Sequence, residues 1–293
     1  MADFDIITDS PVNLPDNLIE AWRLKVLSLE FIVDGQTFKA YDPERSTDHQ
    51  QFYSMMREGK LVQTSLANLQ DADKLLRDSF EAGRDILYLG FDSALSGNFD
   101  NVSKLFNRVW AEEYPQRQLR CVDTLAAALG QGLLVTEVVK RRDMGYSLDE
   151  AADWAEANRL TVAHWFTVDE LKYLQRGGRL SRGAAMAGTL LNIKPILHVD
   201  ELGRLVPVAK VRGRKQSLQA LFEHLDESMR KTPEQLPVYI SQADCYQDAQ
   251  YLSSMILARY PSVEILVNEL DPVIGAHSGP GTVALFFLTD TVR

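Results

Sequence analysis

The stretch Asp85-Ile-Leu-Tyr-Leu-Gly-Phe91, followed by Asp92-Ser-Ala-Leu-Ser-Gly97 and an amphipathic run from Phe99 to Glu113, decides the fold. A short apolar segment bounded by turn residues reads as a buried strand, and the longer periodic run after it as a helix. The same strand-turn-helix unit recurs on both sides. Upstream, Phe4 to Thr8 reads as a strand closed by Asp9-Ser10, and Asp16 to Trp22 as a short helix after Pro15. Lys25 to Val33 alternates apolar and polar residues, the period of a strand. Helices are expected over His49 to Glu58 and Leu69 to Ala82, with the polar Thr64-Ser65 between them. Downstream, a strand at Leu119 to Val122 leads through Asp123-Thr124 into an apolar helix that runs through Val139. Such repetition predicts an α/β protein whose N-terminal part is a largely parallel, doubly wound sheet.

The second half continues in the same style. Ser147 and Glu150 have capping-box spacing, and so do Thr167 and Glu170, whose helix is expected to end at Gly177-Gly178. Strands are expected at Thr161 to Phe166, Arg204 to Val211, Pro237 to Ser241, Val263 to Val267 and Val283 to Leu288, with helices over Ser217 to Arg230 and Tyr246 to Arg259. The expected organisation is therefore two α/β domains, residues 1–160 and 161–293. Composition agrees with a globular protein: 45% hydrophobic and 25% charged residues over 293 positions. The net charge of -10 argues against a nucleic-acid surface, which needs clustered Lys and Arg. Asp3 and Asp5 follow directly on Met1-Ala2, unlike a signal peptide, and the apolar runs fall short of the ~20 residues of a membrane span. Cys121 and Cys245 lack CxxC spacing and read as reduced core residues, so a cytoplasmic location is expected.

Three short polar turns stand out. The segment Pro272-Val-Ile-Gly-Ala-His-Ser-Gly-Pro-Gly-Thr282 embeds His277 in a glycine-rich loop between strands, which fixes one imidazole and several backbone N–H groups in place. Ser96-Gly97 follows a strand and precedes a helix, where free N–H groups and the helix dipole favour an anion. Ser96 equally fits an ordinary helix cap. Thr64-Ser65 adds a third pair of donors. Arg176-Gly-Gly-Arg179 and Lys210-Val-Arg-Gly-Arg-Lys215 form electropositive turns, which makes Arg176 and Arg212 candidates for ligand or partner contact; solvated surface is the alternative. The apolar segment Ala184 to Leu197 fits a core element, or a wall beside the anion donors. GxxxxGK[ST], GxSxG and HExxH patterns do not occur, so neither a P-loop, nor a common hydrolase elbow, nor a metal centre is expected. A Ser96–His277 nucleophile pair, as in an acyl hydrolase or acyltransferase, stays open, although no motif supplies its orienting acid.

Together these segments resemble the DegV family of bacterial fatty-acid-binding proteins nearly end to end. The resemblance is carried by Ile7-Thr-Asp-Ser10, Thr64-Ser65, Leu95-Ser-Gly97, Phe166-Thr-Val-Asp-Glu-Leu-Lys-Tyr-Leu-Gln-Arg-Gly-Gly-Arg179, Leu191-Asn-Ile-Lys-Pro-Ile-Leu197 and Val273-Ile-Gly-Ala-His-Ser-Gly-Pro-Gly-Thr282. It implies two α/β lobes with a long-chain fatty acid such as palmitate between them, and no catalysis by the chain itself. By motif position the carboxylate would be held by Thr64 and Ser96, with His277 nearby and the N–H groups of Ser65 and Gly97 assisting. The resemblance further implies a partner, a fatty acid kinase subunit that phosphorylates the presented carboxylate, and no other cofactor. Two departures lie close to these donors. The family's Thr-Ser is usually followed by Gln-Pro and here by Leu66-Ala67; its Ser-Gly is usually followed by Thr-Tyr and here by Asn98-Phe99.

Overall fold

A computed structural model describes residues 4–45, 47–180, 192–231 and 237–293. The chain runs β1 (Phe4–Asp9), α1 (Asp16–Ala21), β2 (Lys25–Leu27), β3 (Glu30–Val33), β4 (Gln36–Lys39), α2 (His49–Arg57), β5 (Val62–Ser65), α3 (Leu69–Glu81), β6 (Asp85–Gly90), α4 (Asn98–Glu113), β7 (Leu119–Asp123), α5 (Leu129–Asp143) and α6 (Leu148–Asn158). It continues through β8 (Val162–Thr167), α7 (Lys172–Arg176), β9 (Ile193–Val199), β10 (Leu205–Arg212), α8 (Arg214–Lys231), β11 (Val238–Gln242), α9 (Tyr246–Arg259), β12 (Ile265–Glu269), α10 (Pro272–Ser278) and β13 (Val283–Leu288).

The first sheet has the order β2-β1-β6-β7, with every pair parallel. Its order reverses between β1 and β6, and the carboxyl ends of those two strands flank the crevice where open α/β sheets take their ligands. The second sheet, β10-β9-β8-β13-β11-β12, is antiparallel except for the β11–β12 pair. Side chains alternate across it as a pleated strand requires. Ala163, Val283, Leu285 and Phe287 pack under α8 and α9, while Val162, Phe166, Ala284 and Phe286 join the core shared with α5. Helix α5 is buried nearly all round from Leu129 to Val139 and ends in the charged Lys140-Arg-Arg-Asp143; it lies against β8, β11 and β13. A third, small antiparallel sheet, β4-β3-β5, carries Thr64.

Several expected elements differ. Lys25 to Val33 is two strands, β2 and β3, which belong to different sheets. The polar stretch with Thr64-Ser65 is strand β5, held by pairing with β3 rather than by its own propensity. Ser147 and Glu150 close the expected capping box. Thr167 caps nothing: it is fully buried at the end of β8, and α7 starts later, after Leu171. The loop around His277 contains a helix, α10, whose N-cap Asp271 accepts from the backbone N–H groups of Val273 and Ile274 and whose first residue is Pro272. An Asp-Pro start is a helix signal that the surrounding glycines obscure. The expected apolar wall at 184–197 lies outside the described residues up to 191; from Ile193 onward it is β9.

Candidate functional site

Between the carboxyl ends of the parallel strands and the inner face of the second sheet lies a cavity of about 320 Å³. Its walls are mostly apolar, with Leu29, Phe91, Phe166, Leu174, Val273 and Phe286 among them. That volume is at the lower end of the ~300–1,000 Å³ of small-molecule sites. At one end the polar groups collect: Thr64, Ser65, Ser96 and His277 all line it.

His277 sits on the last turn of α10, and its Nε2 is 2.8 Å from the Thr64 hydroxyl. The imidazole rests directly on backbone: a Cβ at Gly177 would come within 2.1 Å of His277 Nδ1, so glycine is required there. Gly279 ends the helix at φ 85, and a Cβ on it would meet the Tyr173 ring at 2.2 Å. Burial, and then the nearby Arg179 guanidinium, lower the His277 pKa to about 4, so the ring is neutral at physiological pH. Among the described residues Nδ1 has no hydrogen-bond partner.

Ser96 is the residue before Gly97, the N-cap of the 16-residue α4, and its hydroxyl accepts from the Asn98 N–H at 3.2 Å. The turn that carries it is pinned from below. Asp9, at the end of β1, is fully buried and accepts from the Tyr88 hydroxyl at 2.9 Å and from the Phe91 N–H at 2.7 Å. Burial raises its pKa to about 7 despite these bonds. Asn98, also fully buried, takes the Ala67 N–H on its Oδ1 at 2.9 Å. This bond joins Ala67 to Asn98, one residue from each of the two departures noted in the sequence. A proline at 67 would have no N–H to give; alanine restores the donor, and asparagine at 98 receives it. The end of β5, with Thr64-Ser65, and the Ser96-Gly97 turn are thereby tied to each other.

The remaining expected residues are not gathered in. Gly97 is exposed and outside the lining. Arg176 is exposed and stacks on Tyr173, and Arg212 is exposed at the end of β10; neither lines the cavity. The arginine that does is Arg179, which donates to the carbonyls of Leu95 at 3.0 Å and Gly177 at 2.6 Å. Its sequence signal is the paired glycine before it, which turns the chain back toward α10. No hydrogen bond joins Ser96 to His277 among the described residues: the imidazole is engaged by Thr64, and its other nitrogen has no partner there. No cluster of His, Cys, Asp and Glu suited to a metal ion occurs among the described residues, and no described helix is long and apolar enough to cross a membrane.

The model of the family described as "Uncharacterised protein, DegV family" matches residues 3–290. The chain belongs to the DegV family. A DegV domain-containing protein of Clostridium perfringens is 40% identical over 291 residues, 99% of each chain. One from Streptococcus pyogenes serotype M3 is 35% identical over the same length and share. Among solved structures, a fatty-acid-binding DegV family protein from Thermus thermophilus superposes with a TM-score of 0.87 at 27% identity, covering 98% of this chain and 99% of that one. DegV of Bacillus subtilis, a fatty acid binding protein, gives 0.86 at 26% identity, covering 99% and 100%. The two-lobed α/β architecture is thus that of the DegV fold.

Proposed function

We propose that the protein binds a long-chain fatty acid of the palmitate class in this cavity, with the carboxylate at Thr64, Ser65, Ser96 and His277, and presents it to a fatty acid kinase. The observation that carries this reading is the 2.8 Å pair of Thr64 and His277 at the polar end of an apolar cavity. A neutral imidazole can donate from Nε2 to the Thr64 oxygen, which frees the hydroxyl proton for an anionic acceptor. The Ser96 hydroxyl and the Ser65 N–H add to the donor set, assisted by the amino end of α4. Hydrogen bonds to a charged acceptor are worth ~1.5–3 kcal/mol each, and several are needed to offset desolvation of a carboxylate. Burying about fourteen methylenes at ~0.8 kcal/mol each contributes on the order of 10 kcal/mol before ordering costs. The Thermus thermophilus and Bacillus subtilis relatives, both fatty-acid-binding, share the fold over nearly the whole chain.

In this role the chain holds and offers the acid, while the phosphoryl chemistry belongs to the partner. The test is denaturing extraction of purified protein followed by mass spectrometry. Long-chain fatty acid is expected from the wild type, and less from the Thr64→Ala/Ser96→Ala double variant. Protein that carries no fatty acid and takes none up ends this reading. Presentation is tested separately, by adding ATP and a Gram-positive fatty acid kinase to loaded protein and trapping acyl phosphate as its hydroxamate.

A further inference from the structure

The same cavity is lined by a second histidine, His164. Thr282, just before β13, and then Ala284 and Phe286, on successive inward positions of β13, line the cavity. Thr282 is beside α10, its hydroxyl bonded to the Gly279 carbonyl at 2.7 Å. Four residues further, at ~3.3 Å per residue, the strand has advanced ~13 Å from the His277 end to Phe286. Directly across the sheet from Phe286 is His164 on β8. Their rings meet edge-on at 5.1 Å, and His164 is 2% exposed.

Both nitrogens of His164 are engaged away from the cavity: Nε2 faces the Ala127 N–H at 3.2 Å, and Nδ1 lies 2.8 Å from the Val162 carbonyl and 2.6 Å from the Arg293 guanidinium. What the ring offers the cavity is therefore carbon. It cannot retreat, because a Cβ at Gly130 would already come within 2.1 Å of Nε2. A planar ring clamped between α5 and the sheet makes a hard stop.

We propose that His164 is the residue that limits acyl chain length, a specificity determinant for the site described above and dependent on that reading. His164→Ala opens space beyond the stop, and His164→Leu refills most of it with an apolar side chain that makes no hydrogen bonds. Gly130→Ala presses the ring from behind and shortens the cavity. The experiment loads delipidated proteins from an equimolar mixture of saturated fatty acids of graded length and compares the bound profiles by mass spectrometry, with circular dichroism melts as the folding control. For His164→Ala the ratio of bound acids two carbons apart is expected to shift about tenfold toward the longer, the factor that two buried methylenes confer. Gly130→Ala is expected to shift it toward the shorter, and His164→Leu to stay near the wild-type profile. Should His164→Ala fail to fold, the Gly130→Ala profile decides. A loaded wild type with unchanged profiles in the folded variants overturns the length stop alone; a wild type that binds no acid at all removes the binding reading, and the stop with it.

Discussion

Replacing Thr64 with valine keeps the shape of the side chain and removes its hydroxyl. Two effects follow from the geometry. The ligand loses one hydrogen bond to a charged acceptor, ~1.5–3 kcal/mol, which weakens binding roughly 10- to 150-fold. The His277 imidazole loses its 2.8 Å partner while Nδ1 already has none, so the ring is left buried with both nitrogens unpaired. An unsatisfied buried polar group costs about 1–3 kcal/mol, so the unliganded variant should also melt earlier. Thr64→Ser separates the hydroxyl from the methyl group, since it keeps the bond and should bind close to wild type. The assay is displacement of a fluorescent fatty acid from delipidated protein near neutral pH, with thermal melts run in parallel. The reasoning is refuted if Thr64→Val binds within about twofold of Thr64→Ser, because a hydroxyl that contacts the carboxylate must count for more than ~0.4 kcal/mol.

Gly177→Ala should drive the imidazole off Thr64, since its Cβ would lie 2.1 Å from Nδ1; weaker fatty-acid binding with ~1–3 kcal/mol of overpacking cost is the expected result, read by the same displacement and melts. Arg179→Met should weaken binding while Arg176→Met and Arg212→Met leave it unchanged, because only the first lines the cavity; equal losses in all three would contradict the assignment. Asn98→Ala should loosen both hydroxyl turns by removing the acceptor of the Ala67 N–H, seen as faster amide exchange at Ala67 and reduced affinity. Burial raises the Asp92 pKa from 3.8 to about 7, so its stabilising contribution is complete below pH 3.8 and is lost as pH rises through 7. Asp92→Asn should therefore gain stability relative to wild type between pH 4 and 8, by up to about 4 kcal/mol at ~1.36 kcal/mol per unit, in denaturant titrations. His277 acts in the opposite sense: its depressed pKa of about 4 contributes above pH 6.5 and is lost on acidification through 4, a loss that His277→Gln should abolish.

Elements with strong local periodicity were legible from sequence. β6 with α4 and the capping box of α6 need no tertiary information, and Ser147 and Glu150 do form that box. What sequence could not supply is pairing. β5 is a polar strand with one edge on β3, and nothing in Val62-Gln-Thr-Ser65 announces it. The break between β2 and β3 is invisible because the hydrophobic alternation runs on while the chain changes sheets. At the site, glycine-flanked hydroxyls are readable as donors; Arg179 is readable as part of an electropositive turn but not singled out from its neighbours, and Asn98 is not readable, since it acts by accepting from an N–H distant in sequence. Arg176 and Arg212 illustrate the converse: clustered charge marks a turn, and only the direction of the turn decides which guanidinium faces inward.

The polar residues proposed to hold the carboxylate come from both sides of the cavity, and this bears on how binding and folding would be coupled. Thr64 and Ser96 are tied through Asn98, and the turn bearing Ser96 is anchored through Asp9 to the parallel sheet, whereas His277 arrives on α10, between β12 and β13 of the mixed sheet. Neither lobe holds the full set. The apolar walls are divided in the same way, with Phe91 from one side and Phe166 and Phe286 from the other. Parting the lobes would expose the apolar lining to water and separate Thr64 from its imidazole in one step. A ligand that fills the cavity binds only the docked arrangement, and so its binding free energy adds to the cohesion of the lobes by mass action. The same division favours a neutral His277 over a charged one. A protonated ring would carry the desolvation cost whenever the site is empty, while a neutral ring that orients the Thr64 hydroxyl offers a directed donor with no buried charge left over when the ligand leaves.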